Sequence, residues 1–339
     1  MAMTDSGERY LVVRLTALGD ILHTLPAVAA LRAAHPEARI DWVVERKWAP
    51  VLQGSPAISE VIPFERQSVS GAIDCVQTLR RNHYTCAIDF QGLYKSSVIA
   101  LFSGAPRRIG FQRRWAREGG AALLYSQRIT PVGKHVAELN YSLAEAAGAR
   151  RPAAPQYPLR VPEAGAASVR ARLTGLGVGE YIVVGPAGSW GAKCWPAERY
   201  GEFCREFEKR NDLRVVVIHG PGEESIAEQV CRSAAPARPA VIATTLEELM
   251  GLLAHARCMV AADSGPLHLA AALGAPVVGL YGPTDPVRNG PFVPGAMIVS
   301  EATPDEISYK RRTSFSPAML RISVEKVLGA VDSCLRASA

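Results

Sequence analysis

The sequence predicts an α/β protein in two domains, each built on an open and mainly parallel β-sheet. Short apolar runs alternate with longer amphipathic ones throughout the chain, which is typical of strands joined by crossover helices. With 339 residues, the chain is long enough to form two domains with separate cores. Residues 150–162 contain four prolines and few strongly apolar side chains, and we interpret them as the linker.

Composition places few limits on function. The chain is 48% hydrophobic and 21% charged, as in ordinary globular proteins, and its formal charge of +6 permits an anionic partner without requiring one. The residues before Arg9 are polar, and no apolar run approaches the ~20 residues that span a bilayer. We therefore expect no signal peptide and no membrane-spanning segment, which leaves only peripheral contact with a membrane.

The seven cysteines indicate free thiols in a reducing compartment, the cytoplasm. Their number is odd, no CxxC pair occurs, and most of them lie inside apolar runs. The chain has no HExxH motif, no histidine-rich cluster and no DxD, so we expect no bound metal. A serine hydrolase is unsupported because no GxSxG motif is present.

The first half alternates strand and helix from its start. Predicted strands are Tyr10–Leu15, Ile40–Val44, Val61–Pro63 and Cys86–Asp89. Predicted helices are Ile21–Ala34, Cys75–Arg81 and one that follows Lys134 and His135 and ends near Ala147. Asp20 follows the first strand and a turn of small residues. It is either the N-cap of the next helix or a general base at the rim of a crevice.

The densest basic segment is Arg107–Arg117, in which Phe111 and Trp115 lie among the arginines. An anionic small or lipid-linked acceptor fits this segment, and so does an ordinary solvated loop. Nucleic acid is not predicted as a partner, because the segment is short and no nucleic-acid motif accompanies it.

The second half repeats the plan of the first. Predicted strands are Tyr181–Val184, Leu213–His219, Met259–Ala262 and Pro276–Tyr281. One predicted helix begins at Pro196, and a second begins at the capping box of Thr245 and Glu248. A third runs from Ser323 to Arg336. Open α/β sheets bind ligands at the carboxyl ends of their strands, so we expect the site residues in the loops that follow these strands.

The stretch Met259–Pro286 predicts a phosphate-binding strand, turn and helix. Ser264 suits the N-cap of the helix and Gly274 suits its exit. The free N–H groups and the positive dipole end at a helix start favour a phosphate there. His268 lies in the first helical turn, beside Asp263, as either a packed side chain or a ligand contact.

A second glycine-rich loop, Gly185–Lys193, follows the strand that begins at Tyr181. It contains three glycines, a serine and a lysine. Backbone amides and one ammonium group suit a pyrophosphate, although the GxxxxGK[ST] spacing is absent. The alternative is a flexible loop that binds nothing.

Six short motifs occur in a fixed order along the chain. They are Leu18–Pro26 (LGDILHTLP), Asp41–Glu45 (DWVVE), Asp89–Ser96 (DFQGLYKS), Lys193–Pro196 (KCWP), Asp263–His268 (DSGPLH) and Tyr281–Pro286 (YGPTDP). Together they resemble the bacterial lipopolysaccharide heptosyltransferases of glycosyltransferase family 9, most of all the type I enzymes. The resemblance implies a GT-B fold, with two Rossmann-like domains facing across a cleft. Residues 1–155 would bind the acceptor, residues 163–316 the nucleotide sugar, and residues 317–339 would form a helix that crosses back to the first domain.

The resemblance also implies a reaction and the residues that perform it. The reaction is inverting, metal-independent transfer of L-glycero-D-manno-heptose from ADP-heptose to Kdo of Kdo2-lipid A, without a cofactor, at the cytoplasmic face of the inner membrane. Asp20 would be the general base. The donor-binding residues would be Ser189, Lys193, Glu224 (or Glu223 in its place), Asp263, Ser264, Gly265 and His268. The acceptor-binding residues would be Gln91, Lys95, Arg113, Arg117 and His135.

The sequence departs from the family pattern in two places, of which the first leaves the acceptor open and the second lies in the donor loop. The segment between Ile62 and Asp89 is shorter than in the type I enzymes, and the part it lacks is normally basic. Gly188 stands where a hydroxyl side chain is usual. The alternatives are a heptosyltransferase with another core acceptor, as in the type II enzymes, and a non-catalytic protein that binds nucleotide sugars.

Overall fold

The structure, a computed structural model, describes residues 7–65 and 69–337. Contacts divide the chain into a first unit that ends at Arg160 and a second unit that begins at Val161. Residues 66–68, which fall in the shortened segment before Asp89, and residues 1–6 of the polar start lie outside the described ones.

The first unit is a six-stranded parallel sheet with helices between its strands. The strands are β1 (Arg9–Val13), β2 (Arg39–Glu45), β3 (Glu60–Phe64), β4 (Cys86–Asp89), β5 (Arg107–Phe111) and β6 (Gln127–Ile129). The helices are α1 (Leu18–Ala34), α2 (Ala49–Leu52), α3 (Val69–Arg81), α4 (Tyr94–Phe102) and α5 (Val136–Ala146). The strand order is β3-β2-β1-β4-β5-β6, and every pair is parallel.

Two sequence predictions for this unit need correction. Helix α1 begins at Leu18 with Ala17 as its N-cap, so Asp20 lies inside the first turn and is not the N-cap. The basic segment is not one solvated loop, because its first five residues form β5, paired with β4 and β6. The Arg108 guanidinium donates to the Leu124 and Ala105 carbonyl oxygens, each at 2.9 Å, so main-chain acceptors already hold this arginine.

The second unit has the same plan. Its strands are β7 (Tyr181–Gly185), β8 (Arg214–His219), β9 (Ala240–Ala243), β10 (Met259–Ala262), β11 (Val277–Tyr281) and β12 (Met297–Ser300). Its helices are α6 (Glu163–Gly175), α7 (Ala197–Glu208), α8 (Glu224–Ala234), α9 (Leu246–Ala254), α10 (Gly265–Ala272), α11 (Pro286–Asn289), α12 (Pro317–Arg321) and α13 (Val324–Ala337). The parallel order is β12-β11-β10-β7-β8-β9.

The central strands are buried because helices cover both faces of each sheet. Val12 and Val260, in β1 and β10, are completely buried. Trp195 is a core residue: its indole N–H donates to the Ile322 carbonyl at 3.1 Å, and its ring packs edge-on against Tyr200. Apolar packing of this kind supplies most of the stability of a domain.

The last helix, α13, packs on its own unit through a buried apolar face that joins the core around β11 and β12. Its prediction as an amphipathic helix is confirmed. That this helix crosses back to the first domain stays a prediction. No helix among the described residues is long and apolar enough to span a membrane, and all seven cysteines are free thiols.

The two sheets reverse their strand order at equivalent places. In the first unit the reversal lies between β1 and β4, and in the second between β7 and β10. Ligands of open α/β sheets bind outside the carboxyl ends of the strands at such a reversal. The loops after these four strands are therefore where the chemistry of each unit is expected.

Candidate active site

Asp89 organises the carboxyl end of β4. Its carboxylate accepts hydrogen bonds from the Gln91 and Gly92 N–H groups (2.8 and 3.2 Å) and from the Ser96 and Tyr125 hydroxyls (2.7 and 2.6 Å). The side chain is completely buried, and burial raises the pKa of Asp89 despite these bonds. All its bonds are internal, so Asp89 shapes the DFQGL loop rather than offering a group to a ligand.

Gln91 fastens this loop to the one after β1. Its side-chain oxygen accepts from the Leu15 N–H at 2.7 Å, and its amide nitrogen donates to the Thr16 hydroxyl at 3.2 Å. Gln91 is buried. The structure thus gives this predicted acceptor-binding residue an internal role, in the frame that supports Asp20.

Asp20 lies in the first turn of α1 and is 21% exposed. Its two oxygens pair with different arginines: Arg14 Nη2 at 3.0 Å and Arg117 Nη2 at 2.7 Å. Burial acts to raise the pKa of Asp20, but the guanidinium groups of Arg14 and then Arg117 outweigh it and hold that pKa well below its usual value. Asp20 is therefore an ionised carboxylate that can accept a proton or a hydrogen bond.

Arg14 is a site residue that the sequence analysis missed. It follows β1 directly, is buried, and donates from Nη1 to the Phe90 carbonyl oxygen. Burial lowers the pKa of Arg14, and the neighbouring Asp20 opposes that shift. A signal was present in the sequence, because a single cation interrupts the otherwise apolar run Tyr10–Leu15.

Lys95 and Arg113 are two further predicted acceptor-binding residues of the first unit. Lys95 Nζ lies 3.7 Å from a Glu45 oxygen and 4.5 Å from the centre of the Phe64 ring. Arg113 is exposed on the loop after β5.

His135 is buried as the N-cap of α5, where its Nδ1 accepts from the Ala137 N–H at 3.1 Å. Its ring also lies edge-on to that of His23, with 5.0 Å between centroids. Arg117, another of the five predicted acceptor-binding residues, donates to the Asp20 carboxylate at 2.7 Å.

In the second unit, three predicted donor-binding residues meet at the strand reversal. Asp263, directly after β10, pairs through one oxygen with Lys193 Nζ at 2.5 Å and through the other with His268 Nε2 at 3.2 Å. Burial acts to raise the pKa of Asp263, but His268 and Lys193 hold it well below its usual value. The ammonium group and the imidazole are thus held side by side.

Helix α10 starts at this cluster, as predicted. Ser264 is its N-cap and Gly265 its first residue, but the Ser264 hydroxyl forms no capping bond. This hydroxyl oxygen is buried and has no hydrogen-bond partner among the described residues. The N–H groups of a first helical turn have no partners inside the helix. A hydroxyl and a helix start without internal partners are what an anionic ligand needs.

The loop Gly185–Lys193 is held in place by close packing. Lys193 ends a short 3₁₀ helix, Gly191–Lys193, and its Nζ lies 5.3 Å from the centre of the Trp190 ring. A Cβ on Gly191 would come within 1.8 Å of the Thr313 carbonyl oxygen, so only glycine fits there. Ser189 is exposed on the same loop.

Glu224 lies after a different strand, β8, at the start of α8. It is exposed, and main-chain hydrogen bonds, first its own N–H and then that of Gly222, hold the pKa of Glu224 below its usual value. Glu223 is less exposed and accepts the Gly220 N–H at 2.8 Å. Of the two, Glu224 presents the more accessible carboxylate.

Comparison with known proteins identifies the family. Residues 73–319 match the profile of Glycosyltransferase family 9 (heptosyltransferase). The chain belongs to this family.

Two curated relatives illustrate the range of similar family 9 enzymes. Lipopolysaccharide heptosyltransferase 1 of Pseudomonas aeruginosa is 30% identical, over 91% of this chain and 88% of the relative. Lipopolysaccharide heptosyltransferase 2 of Salmonella typhimurium is 28% identical, over 96% of this chain and 98% of the relative. Enzymes of two types therefore resemble this family 9 chain to a similar degree.

A solved structure supports the same assignment. The structure described as E. coli heptosyltransferase WaaC with ADP matches this chain with a TM-score of 0.77 and 26% identity, covering 96% of this chain and 99% of that one. The GT-B architecture and the glycosyltransferase class of this family 9 protein are thereby confirmed. The described residues contain no group of three or more His, Cys, Asp or Glu side chains that could hold a metal ion.

Proposed function

We propose that this family 9 heptosyltransferase transfers L-glycero-D-manno-heptose from ADP-heptose to Kdo of Kdo2-lipid A. The observation that carries the donor half of the proposal is the cluster of the partly buried Lys193 with the buried Asp263 and His268, beside the start of α10. The related WaaC structure contains ADP, and a pyrophosphate is the ligand that an ammonium group and a helix start favour together.

The donor residues have separate roles in this proposal. Lys193 and the first turn of α10 neutralise the diphosphate as ADP departs, and the Ser264 hydroxyl, which has no other described partner, donates to it. Asp263 accepts from a sugar hydroxyl, and His268 holds Asp263 in position. Ser189 and the Gly265 N–H supply further donors to the diphosphate. Glu224 accepts from the ribose.

The chemical step is a single displacement that inverts the anomeric centre. The acceptor hydroxyl oxygen attacks the anomeric carbon of the heptose, the bond from that carbon to the phosphate oxygen breaks, and ADP leaves as the anion. Asp20 takes the hydroxyl proton, as a general base must in such a step. No metal ion has a place in this scheme, since Lys193 and helix N–H groups carry the charge of the leaving group.

Asp20 as it stands is a weak base, because two arginines stabilise its charge. Arg117 is half exposed, and an acceptor that carries carboxylates would draw its guanidinium away from Asp20. The pKa of Asp20 would then rise towards the range in which a carboxylate is an effective base. Arrival of the anionic acceptor would thus activate the base that acts on it.

The acceptor assignment rests on charge. The exposed Arg113 and Arg117 and the partly exposed Lys95 suit the carboxylates of Kdo and the phosphates of lipid A. Gln91 and His135 would act indirectly, because they fix the loop after β4 and the start of α5. Such an acceptor places the enzyme at the cytoplasmic face of the inner membrane in peripheral contact with lipid.

The test measures ADP release from purified protein supplied with ADP-heptose and a delipidated Kdo-terminated acceptor, with and without EDTA. We expect turnover that EDTA leaves unchanged, and a loss of about 100-fold or more in Asp20→Asn, the scale of removing a general base. Asp74→Asn, an exposed carboxylate on α3, is the matched control and should retain full turnover.

Other outcomes would redirect the proposal. Normal turnover in Asp20→Asn would remove Asp20 from its role. A heptose-terminated acceptor preferred over the Kdo-terminated one would make the chain a type II-like enzyme. Absence of ADP release with every acceptor, together with tight ADP-heptose binding, would favour a non-catalytic nucleotide-sugar binding protein.

A further inference from the structure

Helix α4 turns an apolar face outwards. Tyr94, Val98, Leu101 and Phe102 are each between 37% and 55% exposed, and their spacing places them on one side of the helix. The buried side consists of Ser96, Ser97, Ile99 and Ala100. A surface helix ordinarily directs its polar side to water. Exposed apolar residues in a contiguous group indicate an interaction surface, whereas single ones do not.

The neighbouring 3₁₀ helix, Gly119–Leu124, packs against α4 and extends this face. Leu123 on it is 76% exposed. The two elements fit closely, since a Cβ on Gly120 would come within 1.8 Å of the Tyr94 hydroxyl. We call Tyr94, Val98, Leu101, Phe102 and Leu123 the α4 apolar surface.

Cationic side chains lie at both ends of the α4 apolar surface. At its carboxyl end, Arg80 is exposed and donates from Nε to the Phe102 carbonyl oxygen at 3.2 Å. At its amino end, the Glu118 N–H donates to the Gly92 carbonyl at 2.9 Å, which holds the loop after β5 against the start of α4. That loop exposes Arg114 and Trp115. The Glu118 carboxylate accepts a hydrogen bond from the Tyr94 N–H at 2.6 Å.

We propose that the α4 apolar surface, flanked by Arg80 and Arg114, docks on a membrane that contains anionic phospholipid. Aliphatic side chains of an interfacial helix enter the acyl boundary, and tyrosine and tryptophan prefer the headgroup level. The flanking arginines add attraction to anionic headgroups. In a two-fold contact between copies of this chain, the same arginines would approach each other, which disfavours self-association through this face.

The docking surface is connected to the active site. The loop that exposes Arg114 and Trp115 also carries Arg117, which pairs with Asp20. A lipid-linked acceptor held in the same membrane would therefore reach Asp20 from the side at which the enzyme is anchored. The α4 apolar surface would thus make the peripheral membrane contact of the proposed function, whichever sugar the enzyme transfers.

The experiment measures co-sedimentation of the full-length protein with vesicles of phosphatidylcholine, with and without phosphatidylglycerol, at low and high salt. We expect binding that needs phosphatidylglycerol and weakens with salt. The double variant Leu101→Gln/Phe102→Gln should bind at least about tenfold more weakly, which corresponds to about 1.4 kcal/mol. The double variant Arg80→Gln/Arg114→Gln should bind the phosphatidylglycerol vesicles more weakly, by about fivefold for each arginine removed.

The matched control is Leu176→Gln/Val241→Gln, which changes two exposed apolar residues of the second unit and should bind as tightly as the unaltered protein. Circular dichroism shows whether each variant folds, and turnover with a delipidated acceptor should be unchanged in Leu101→Gln/Phe102→Gln. Equal vesicle binding by that variant, binding without anionic lipid, or a dimer that the variant abolishes would each overturn the docking proposal. Failure of the proposed reaction would instead appear as absent turnover in the unaltered protein with vesicle binding intact.

Discussion

Asp20 lies between two arginines that come from different parts of the first unit, Arg14 at the end of β1 and Arg117 on the loop after β5. The arginines lower its pKa in the folded chain below the unfolded value of about 3.9. A carboxylate whose pKa is lowered on folding contributes stability above its unfolded pKa and loses that contribution as the pH falls towards its folded pKa. The same pairing that stabilises the loop thus makes the Asp20 carboxylate a poor proton acceptor while both arginines contact it.

Replacing Arg117 with glutamine removes one of these two cations. We expect the pKa of Asp20 to rise, so the acid limb of the pH profile of kcat/KM moves to higher pH. The profile is measured with a delipidated acceptor over the acidic range in which circular dichroism shows a folded protein. Arg114→Gln, on the same exposed loop, is the control and should leave the limb in place. A lower kcat/KM with an unmoved limb would mean that Arg117 only binds the acceptor.

At the scale of single elements, the site depends on loops whose backbones are fixed by close contacts. The loop from Gly185 to Lys193 is pressed against the segment around Thr313 at Gly191, and the Ala192 N–H donates to the Arg312 carbonyl at 3.1 Å. This contact positions the short 3₁₀ helix that presents Lys193 to Asp263. Helix α10 has an equivalent constraint at its exit, where Gly274 adopts a φ of +85°.

Gly191→Ala tests this positioning. The added methyl group cannot fit beside the Thr313 carbonyl oxygen, so the loop must shift, at a cost of about 1–3 kcal/mol of unfolding free energy. ADP binding, measured by calorimetry, should weaken because Lys193 moves with the loop. Gly179→Ala is a matched control, since nothing lies within 4 Å of a Cβ there. If the Gly191→Ala protein were destabilised but bound ADP as before, the position of this loop would not control ADP binding.

At the scale of the whole molecule, two units repeat one topology, and each holds a different set of candidate site residues. Each sheet reverses its strand order once, and the candidate residues follow the strands at each reversal. The first unit presents a carboxylate held between arginines, and the second presents a lysine and a histidine held by a carboxylate. An enzyme that must deprotonate one substrate and neutralise a leaving group on the other needs both sets.

ADP should raise the melting temperature of the full-length protein. A ligand that binds only the folded state stabilises it by about 2.7 kcal/mol at a concentration one hundred times its Kd. Lys193→Met should weaken ADP binding by about tenfold or more, the scale of losing one charge-assisted hydrogen bond, and should shrink the thermal shift. The shift is measured by scanning fluorimetry against each variant without ADP. Lys209→Met, at an exposed lysine on the second unit, should keep the full shift, and an equal shift in Lys193→Met would exclude this lysine from the donor site.

Local pattern predicted most elements of both sheets. Cys86–Asp89 and Met259–Ala262 have the predicted bounds, and the capping box of Thr245 and Glu248 opens α9 as expected. The predicted start of α1 is three residues late, because Leu18 and Gly19 resemble a turn in the sequence. In the structure Leu18 is buried and the Ile21 N–H donates to the Ala17 carbonyl oxygen at 2.9 Å, so the helix already begins at Leu18. Propensity decides a helix end weakly, and tertiary contacts override it.

The sequence by itself determined the two-domain α/β plan and the motifs at the strand ends, because both depend on the order and spacing of nearby residues. Only the tertiary structure decided which side chains meet. Arg117 and Asp20 are 97 positions apart, and Lys193 and Asp263 are 70 apart. Their contacts depend on the strand order of a sheet, which local periodicity does not encode. The internal bonds of Gln91, the capping role of His135 and the exposed apolar side of α4 were settled in the same way, by which surfaces the folded units cover and which they leave in water.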